Sequence, residues 1–246
     1  MNQTYNIDLN ADIGEGMLYD KALIKLISSC NIACGGHAGS DESILKTINL
    51  AKANQVNIGA HPAYPDKEKF GRTSLDISIE SLVESIDSQL NNFKRHIEYT
   101  HAKWHHIKFH GALYNDLKHN RDIAKALVEL IKEKHKNIAL YVPPNSVIKS
   151  IAEAQIPIFV EGFADRAYKE DLSLVSRKKS NAVLFDEKEV VQQILNMIIH
   201  QKVKTIYRQW IAIHVDTICL HGDNPKALDL AKIIVESLRN KNIIIK

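Results

Sequence analysis

Cysteine is scarce in this 246-residue sequence: Cys30, Cys34 and Cys219 are all there is, and no CxxC pair occurs. That excludes a disulfide framework. Small buried thiols, rather than reactive ones, are the expectation for Cys30 and Cys34. Proline (6) and glycine (10) are too few for linker-rich or disordered tracts. No apolar run reaches the ~18 residues of a membrane span. The opening segment MNQTYNIDLNAD has no signal-peptide core. A cytoplasmic chain without a membrane partner is therefore expected. Neither sign of charge dominates. Thirty-two Lys and Arg face twenty-nine Asp and Glu, and they are interleaved, so the +3 balance is no nucleic-acid footprint. Three catalytic signatures are also missing: G-x-x-x-x-G-K-[ST], G-x-S-x-G and H-E-x-x-H. Their absence excludes a Walker loop, a serine-hydrolase elbow and a zincin site.

What is there is a globular composition, 45% hydrophobic and 25% charged. Short β-like runs alternate with longer amphipathic ones. The pattern predicts strands over 5–9, 29–34, 56–60, 106–109, 138–142, 157–160 and 217–220, with a tail strand at 243–245. Helices are predicted over 17–27, 41–54, from 78 onward, and over 122–134, 146–154, 187–200 and 225–240. A short hairpin piece is expected at 181–185. Ser40 is placed to cap the second helix, with Asp41 and Glu42 in its first turn. Alternation at this spacing, with no linker dividing it, argues for parallel βα units in one domain over 1–246. The candidates are a (β/α) barrel and a doubly wound sheet, and the missing G-x-G-x-x-G weakens the dinucleotide version of the latter.

Polar residues collect where these strands end. The first strand runs into Asp8, Asn10 and Asp12, and the second carries Asn31 and leads to His37. The third ends at His61, near the loop residue Arg72, and the fourth gives Lys108 and His110. The sixth gives Glu161, then Asp165 and Arg166, and the seventh gives His221 and Asp223. Strand carboxyl ends face the ligand in such folds. Parity agrees: Asp8 and Asn10 share one face while Ile7 and Leu9 share the other, and Lys108 and His110 oppose Ile107 and Phe109. Taken singly, each polar residue is as well read as a turn, cap or packed core residue; together they mark a catalytic mouth. His101 and His105, spaced i,i+4, are a possible metal pair but better read as a solvated helix face. His96, His119, His135 and His200 read as surface residues.

Six segments carry a resemblance. They are IDLNADIGEG (7–16), SSCNIACGGHAG (28–39), IGAHPAYPD with FGR (58–66, 70–72), KFHGALYN (108–115), EGFADRAY with Arg177 (161–168), and CLHGDNPKAL (219–228). In this order they resemble the LamB/YcsF family along almost the whole chain. The resemblance implies a seven-stranded (β/α) barrel, TIM-barrel-like and similar to glycoside hydrolase and deacetylase barrels. It also implies one component of an ATP-dependent 5-oxoprolinase, which opens the 5-oxo-L-proline lactam to L-glutamate. Two further 5-oxoprolinase subunits, resembling the two parts of allophanate hydrolase, are implied as partners. ATP would be a co-substrate handled by those partners. This sequence departs from the family at Ser40, where Asp is common, at Phe109, where Pro is usual, and at Thr73, where a second Arg often stands.

On that reading the expected catalytic residues are Asp12, Glu15, His61, His110 and His221. Asp12 or Glu15 would act as base, and the histidines would polarise the carbonyl or protonate the leaving nitrogen. Asn10, Asn31, His37, Arg72, Lys108, Asp165 and Arg166 are the expected substrate-binding set. A divalent metal is left open. Two rivals are weighed beside this: a stand-alone metal-dependent deacetylase or amidohydrolase, with Asp12, His37 and His61 as ligands, and a non-catalytic 5-oxoproline-binding subunit.

Overall fold

The computed structural model describes residues 4–246. In chain order, β1 (Tyr5–Ile13), the one-turn α1 (Asp20–Leu23) and β2 (Ser29–Ala33) come first. Then α2 (Asp41–Ala53) leads to β3 (Asn57–His61), and the long α3 (Ile79–Tyr99) leads to β4 (Trp104–Lys108). Two helices, α4 (Gly111–Asp116) and α5 (Arg121–His135), precede β5 (Ala139–Val142), and α6 (Val147–Ala152) precedes β6 (Ile158–Phe163). After α7 (Glu187–His200) come the hairpin strands β7 (Lys202–Lys204) and β8 (Trp210–Ala212). The last elements are β9 (Thr217–Leu220), α8 (Ala227–Asn240) and β10 (Ile243–Ile245).

Seven parallel strands close on themselves in the order β1-β2-β3-β4-β5-β6-β9, with β9 pairing back onto β1. This is the seven-stranded, TIM-barrel-like (β/α) fold that the family resemblance implies, and the barrel of the two candidates left open by the alternation of elements. β10 adds to the outside at the first residues of β1, Tyr5 opposite Ile243. The helices turn their apolar stripes to the barrel: Leu82, Ile86, Leu90, Phe93 and Ile97 of α3 are buried at 3.6-residue spacing. Side-chain caps start most of the long ones. Ser78, Asn120 and Asp186 each accept an N–H of the first turn, and Ser40 and Ser43 cap α2 reciprocally. The exposed Ser40 is thus a helix cap, and it does not line the cavity described below. No helix of the described residues is long and apolar enough to cross a membrane.

Several expectations are corrected. The helix predicted over 17–27 shrinks to Asp20–Leu23; its apolar residues Leu23, Ile24 and Ile27 are buried, but within a turn-rich link. The segment 181–185 forms no hairpin strand, only an isolated bridge between Arg166 and Val183. The β7–β8 hairpin and α4 are additions the periodicity did not reveal, being short. His101 and His105 share no helix face: His101 follows α3 with positive φ, while His105 lies in β4. His135 is buried against Trp104 rather than exposed. Burial pushes the thiols of Cys30 and Cys34 up to about 12, so these two are inert core residues.

Candidate active site

Strand parity fills the barrel with polar side chains in layers. Lowest lies Asp8, whose carboxylate accepts from Ser28, Ser29, Tyr141 and Thr217. The His106 ring stacks on Tyr141 at 3.9 Å and lies 2.7 Å from the Asn31 amide oxygen. Its space is provided by Gly59 on β3, where a Cβ would come within 2.4 Å of the imidazole. Burial holds His106 well below the ordinary imidazole range.

Lys108 occupies the middle layer. Its Nζ lies 2.9 Å from Asp12 Oδ1, 3.0 Å from Glu161 Oε1 and 3.1 Å from Cys219 Sγ. Asn31 donates to both Asn10 and Asp12, and Asn10 donates to Glu161 and Thr217. Burial alone would favour neutral lysine, but Asp12 and Glu161 hold its pKa well above the ordinary value. Burial also opposes the charge on Asp12, but His61 and Lys108 outweigh it and keep that carboxyl well below the usual carboxylate range. A buried lysine with two carboxylates needs this hydrogen-bonded geometry to offset desolvation.

Two groups top the network. On one side Glu15, His37, His61 and His110 converge. Glu15 Oε1 lies 2.7 Å from His37 Nε2, 3.5 Å from His110 Nδ1 and 4.0 Å from His61 Nε2. The His37 and His110 rings stack at 3.6 Å. Burial pushes both below the ordinary imidazole value. Gly71, at φ +60°, lets the 70–72 turn press against these rings; a Cβ there would stand 3.0 Å from both His110 Cδ2 and His37 Cβ. On the other side His221 Nδ1 donates to Asp165 Oδ1 at 2.8 Å, Asn224 donates to Oδ2, and the His221 ring stacks on Phe163. Burial would raise the Asp165 carboxyl, but His221 and Asn224 hold it below its ordinary value.

A cavity of about 640 Å³ opens between these groups. Asp12, Glu15, His61, Arg72, Lys108, His110, Arg166 and His221 reach it. Asn10, Asn31, His37 and Asp165 do not; they stand behind the wall and orient residues that do. Arg166 is largely committed to the chain, donating to the carbonyls of Val175 and Ala182 and so pinning the 166–182 loop. Arg72 and Arg177 meet Asp223 at the mouth. Lys169 and Lys178 also line it, while the buried Lys118 ammonium donates to the Pro144 and Asn145 carbonyls. The trio Asp12, His37 and His61 does not form a ligand set of its own. Instead Glu15, His37, His61 and His110 each bring one ligand atom within 4.8 Å of the others, as do Asp12, Cys219 and His221.

Sequence reasoning passed over three features. Glu161, noted only as a strand-end carboxylate and left out of the site set, is half of the Lys108 charge balance. Asp223, noted only as a strand-end acid, organises two arginines. The buried His106–Tyr141 stack left no signal, because its meaning lies in the opposition of β4 and β5 across Lys108 and Tyr141.

The LamB/YcsF family description matches residues 7–246. A protein named as a 5-oxoprolinase subunit from Haemophilus influenzae (strain PittEE) is 40% identical over 238 residues, 96% of this chain and 97% of the relative. One of the same name from Pyrococcus abyssi (strain GE5 / Orsay) is 37% identical, covering 96% of this chain and 95% of its own. The crystal structure of a lactam utilization protein from Thermus thermophilus superposes with a TM-score of 0.90 at 31% identity, over 98% of this chain and 99% of the other.

Proposed function

The chain belongs to the LamB/YcsF family, and we propose that it is the barrel subunit of an ATP-dependent 5-oxoprolinase, opening the lactam of 5-oxo-L-proline to L-glutamate. The observation that carries this is one cavity with two facing groups of polar side chains, His221–Asp165 and Glu15–His61–His110. Its relatives' names supply the substrate class. An unactivated five-membered lactam resists hydrolysis, because ring closure of glutamate is favourable. Coupling to ATP supplies the drive, a step this reading gives to two partner subunits resembling allophanate hydrolase parts.

Lactam hydrolysis needs a held water, stabilisation of the developing oxyanion and a proton for the leaving nitrogen. Asp165 fixes the His221 tautomer with Nδ1–H engaged, so Nε2 is the atom available to exchange a proton with the ring nitrogen. Asp12, held so far below the carboxylate range, is a weak base; its part is to keep Lys108 and His61 in place. The Lys108 ammonium on the cavity wall offers positive potential to an oxyanion. Water is held at the Glu15–His61–His110 side. The arginines and lysines of the mouth suit the substrate carboxylate.

The test is glutamate formation from 5-oxoproline with and without ATP and the two candidate partners. Glutamate only with all components supports the proposal, and His221→Ala then lowers kcat by about 10²–10⁴-fold. Glutamate from this chain alone would make it a stand-alone amidohydrolase. Binding without turnover, with folded partners present, would make it a capture protein. Either result overturns the proposal.

A further inference from the structure

Hydrogen-bond direction constrains the histidine cluster. His61 Nδ1 lies 2.7 Å from the Lys108 carbonyl oxygen, and His110 Nε2 lies 3.0 Å from the Phe70 carbonyl oxygen. A carbonyl only accepts, so both nitrogens carry protons. In the neutral rings the remaining nitrogens, His61 Nε2 and His110 Nδ1, are bare lone pairs, and they face each other at 3.0 Å. Glu15 Oε1, a third acceptor, lies 4.0 and 3.5 Å from them. Three acceptors with no donor among them converge on one point. That arrangement repels unless something positive sits between.

We propose that Glu15, His61 and His110 bind a divalent transition-metal ion, of the zinc or cobalt class, through Oε1, Nε2 and Nδ1. The point equidistant from the three atoms lies about 2.1 Å from each, matching zinc–nitrogen and zinc–oxygen bonds of ~2.0–2.2 Å. Each histidine donates its other N–H to a backbone carbonyl, the outer contact that fixes the tautomer of metal-bound imidazoles. His37 Nε2, 2.7 Å from Glu15, donates to the carboxylate and steadies it. Two imidazoles and one carboxylate suit borderline cations better than magnesium or calcium. All three ligands line the cavity, so the remaining coordination position opens towards substrate and water. Asp12, whose Oδ1 lies 3.4 Å from His61 Nε2, adds negative potential beside the ion. The ion site does not depend on which amide the cavity takes.

The experiment needs neither ATP nor partners, so it stands apart from the lactamase assay. The purified full chain is stripped with a chelator and titrated with Zn²⁺ by calorimetry, and with Co²⁺ by visible absorption. One ion per chain at micromolar or tighter affinity is expected, with cobalt bands typical of nitrogen and oxygen ligands. His61→Gln and His110→Gln should each weaken binding about 100-fold, while His221→Gln leaves it unchanged. Glu15→Gln, on the loop after β1, should weaken it about 10-fold and decides the matter if a histidine variant fails to fold. No saturable uptake, with imidazole ¹⁵N shifts showing a proton shared by His61 and His110, would overturn the proposal. So would uptake lost in His221→Gln but kept in Glu15→Gln, which would move the ion to Asp12, Cys219 and His221.

Discussion

Replacing Lys108 with methionine keeps the length of the stem and removes the charge. Lys108 is 2% exposed, and its ammonium sits 2.9 and 3.0 Å from two carboxylates. At an effective dielectric near 20, each contact is worth about 5–6 kcal/mol before desolvation is subtracted. Removing one partner of such a buried group typically costs about 3–5 kcal/mol, because the charges left behind are unpaired. For a chain of this size that is a fall in Tm of about 6–20 °C. The sign of the pH dependence is a sharper check. In the wild type, Asp12 is held below its unfolded value, so its contribution is present at neutral pH and is lost as pH falls through its folded pKa. In Lys108→Met, burial acts on Asp12 with Lys108 gone and His61 left to oppose it, so its folded carboxyl takes up a proton at higher pH than in the wild type. The gap between the two proteins should therefore be largest near pH 7 and narrow towards pH 5. Adding Glu161→Gln to Lys108→Met should restore part of the loss, since Asn10 can still donate to the amide oxygen. Urea denaturation at pH 7 and pH 5 measures the wild type and both variants. A loss under about 1 kcal/mol, or one independent of pH, would refute the charge network as the source of stability.

Two further predictions concern other parts of the fold. Ser40→Ala removes the capping box of α2 and should cost about 1 kcal/mol, whereas Ser40→Asp, which also caps, should keep both stability and activity; thermal melts and the glutamate assay distinguish these. Acid should destabilise the protein well above the carboxylate range. His106 is held neutral by burial while its unfolded counterpart protonates below about pH 6.5, so stability is lost as pH falls from there, by up to ~1.4 kcal/mol per unit for each such histidine. His37 and His110 act with the same sign. A flat denaturation midpoint from pH 7 to 5.5 would contradict this account.

Much of the fold is legible along the chain. The period of two in residues 7–10 separates Ile7 and Leu9 from Asp8 and Asn10, and a strand makes that separation spatial. The 3.6 spacing of α3 and its Ser78 cap are equally local. Three short elements escape this reading: α4, β7 and β8 are too short to display a period. The failed helix over 17–27 shows the opposite error: apolar spacing was present, but packing used it in turns. Among the histidines, position along the chain misled at His135, because the hydrophobic contact with Trp104 that buries it is tertiary.

The site divides in the same way. Which residues stand at the carboxyl ends of strands, and on their inward face, is written in the chain itself, because backbone alternation is a property of each strand alone. That local rule places Asp12, Lys108, His110 and His221 at one mouth. Their partners emerge only on folding. Barrel closure sets Lys108 between Asp12 and Glu161, which are 149 residues apart in sequence, and turns His61 and His110 so that Nε2 of one faces Nδ1 of the other at 3.0 Å. Pairing of that kind depends on strand register and on which carbonyls each ring can reach, and these exist only once distant segments have closed around a common axis.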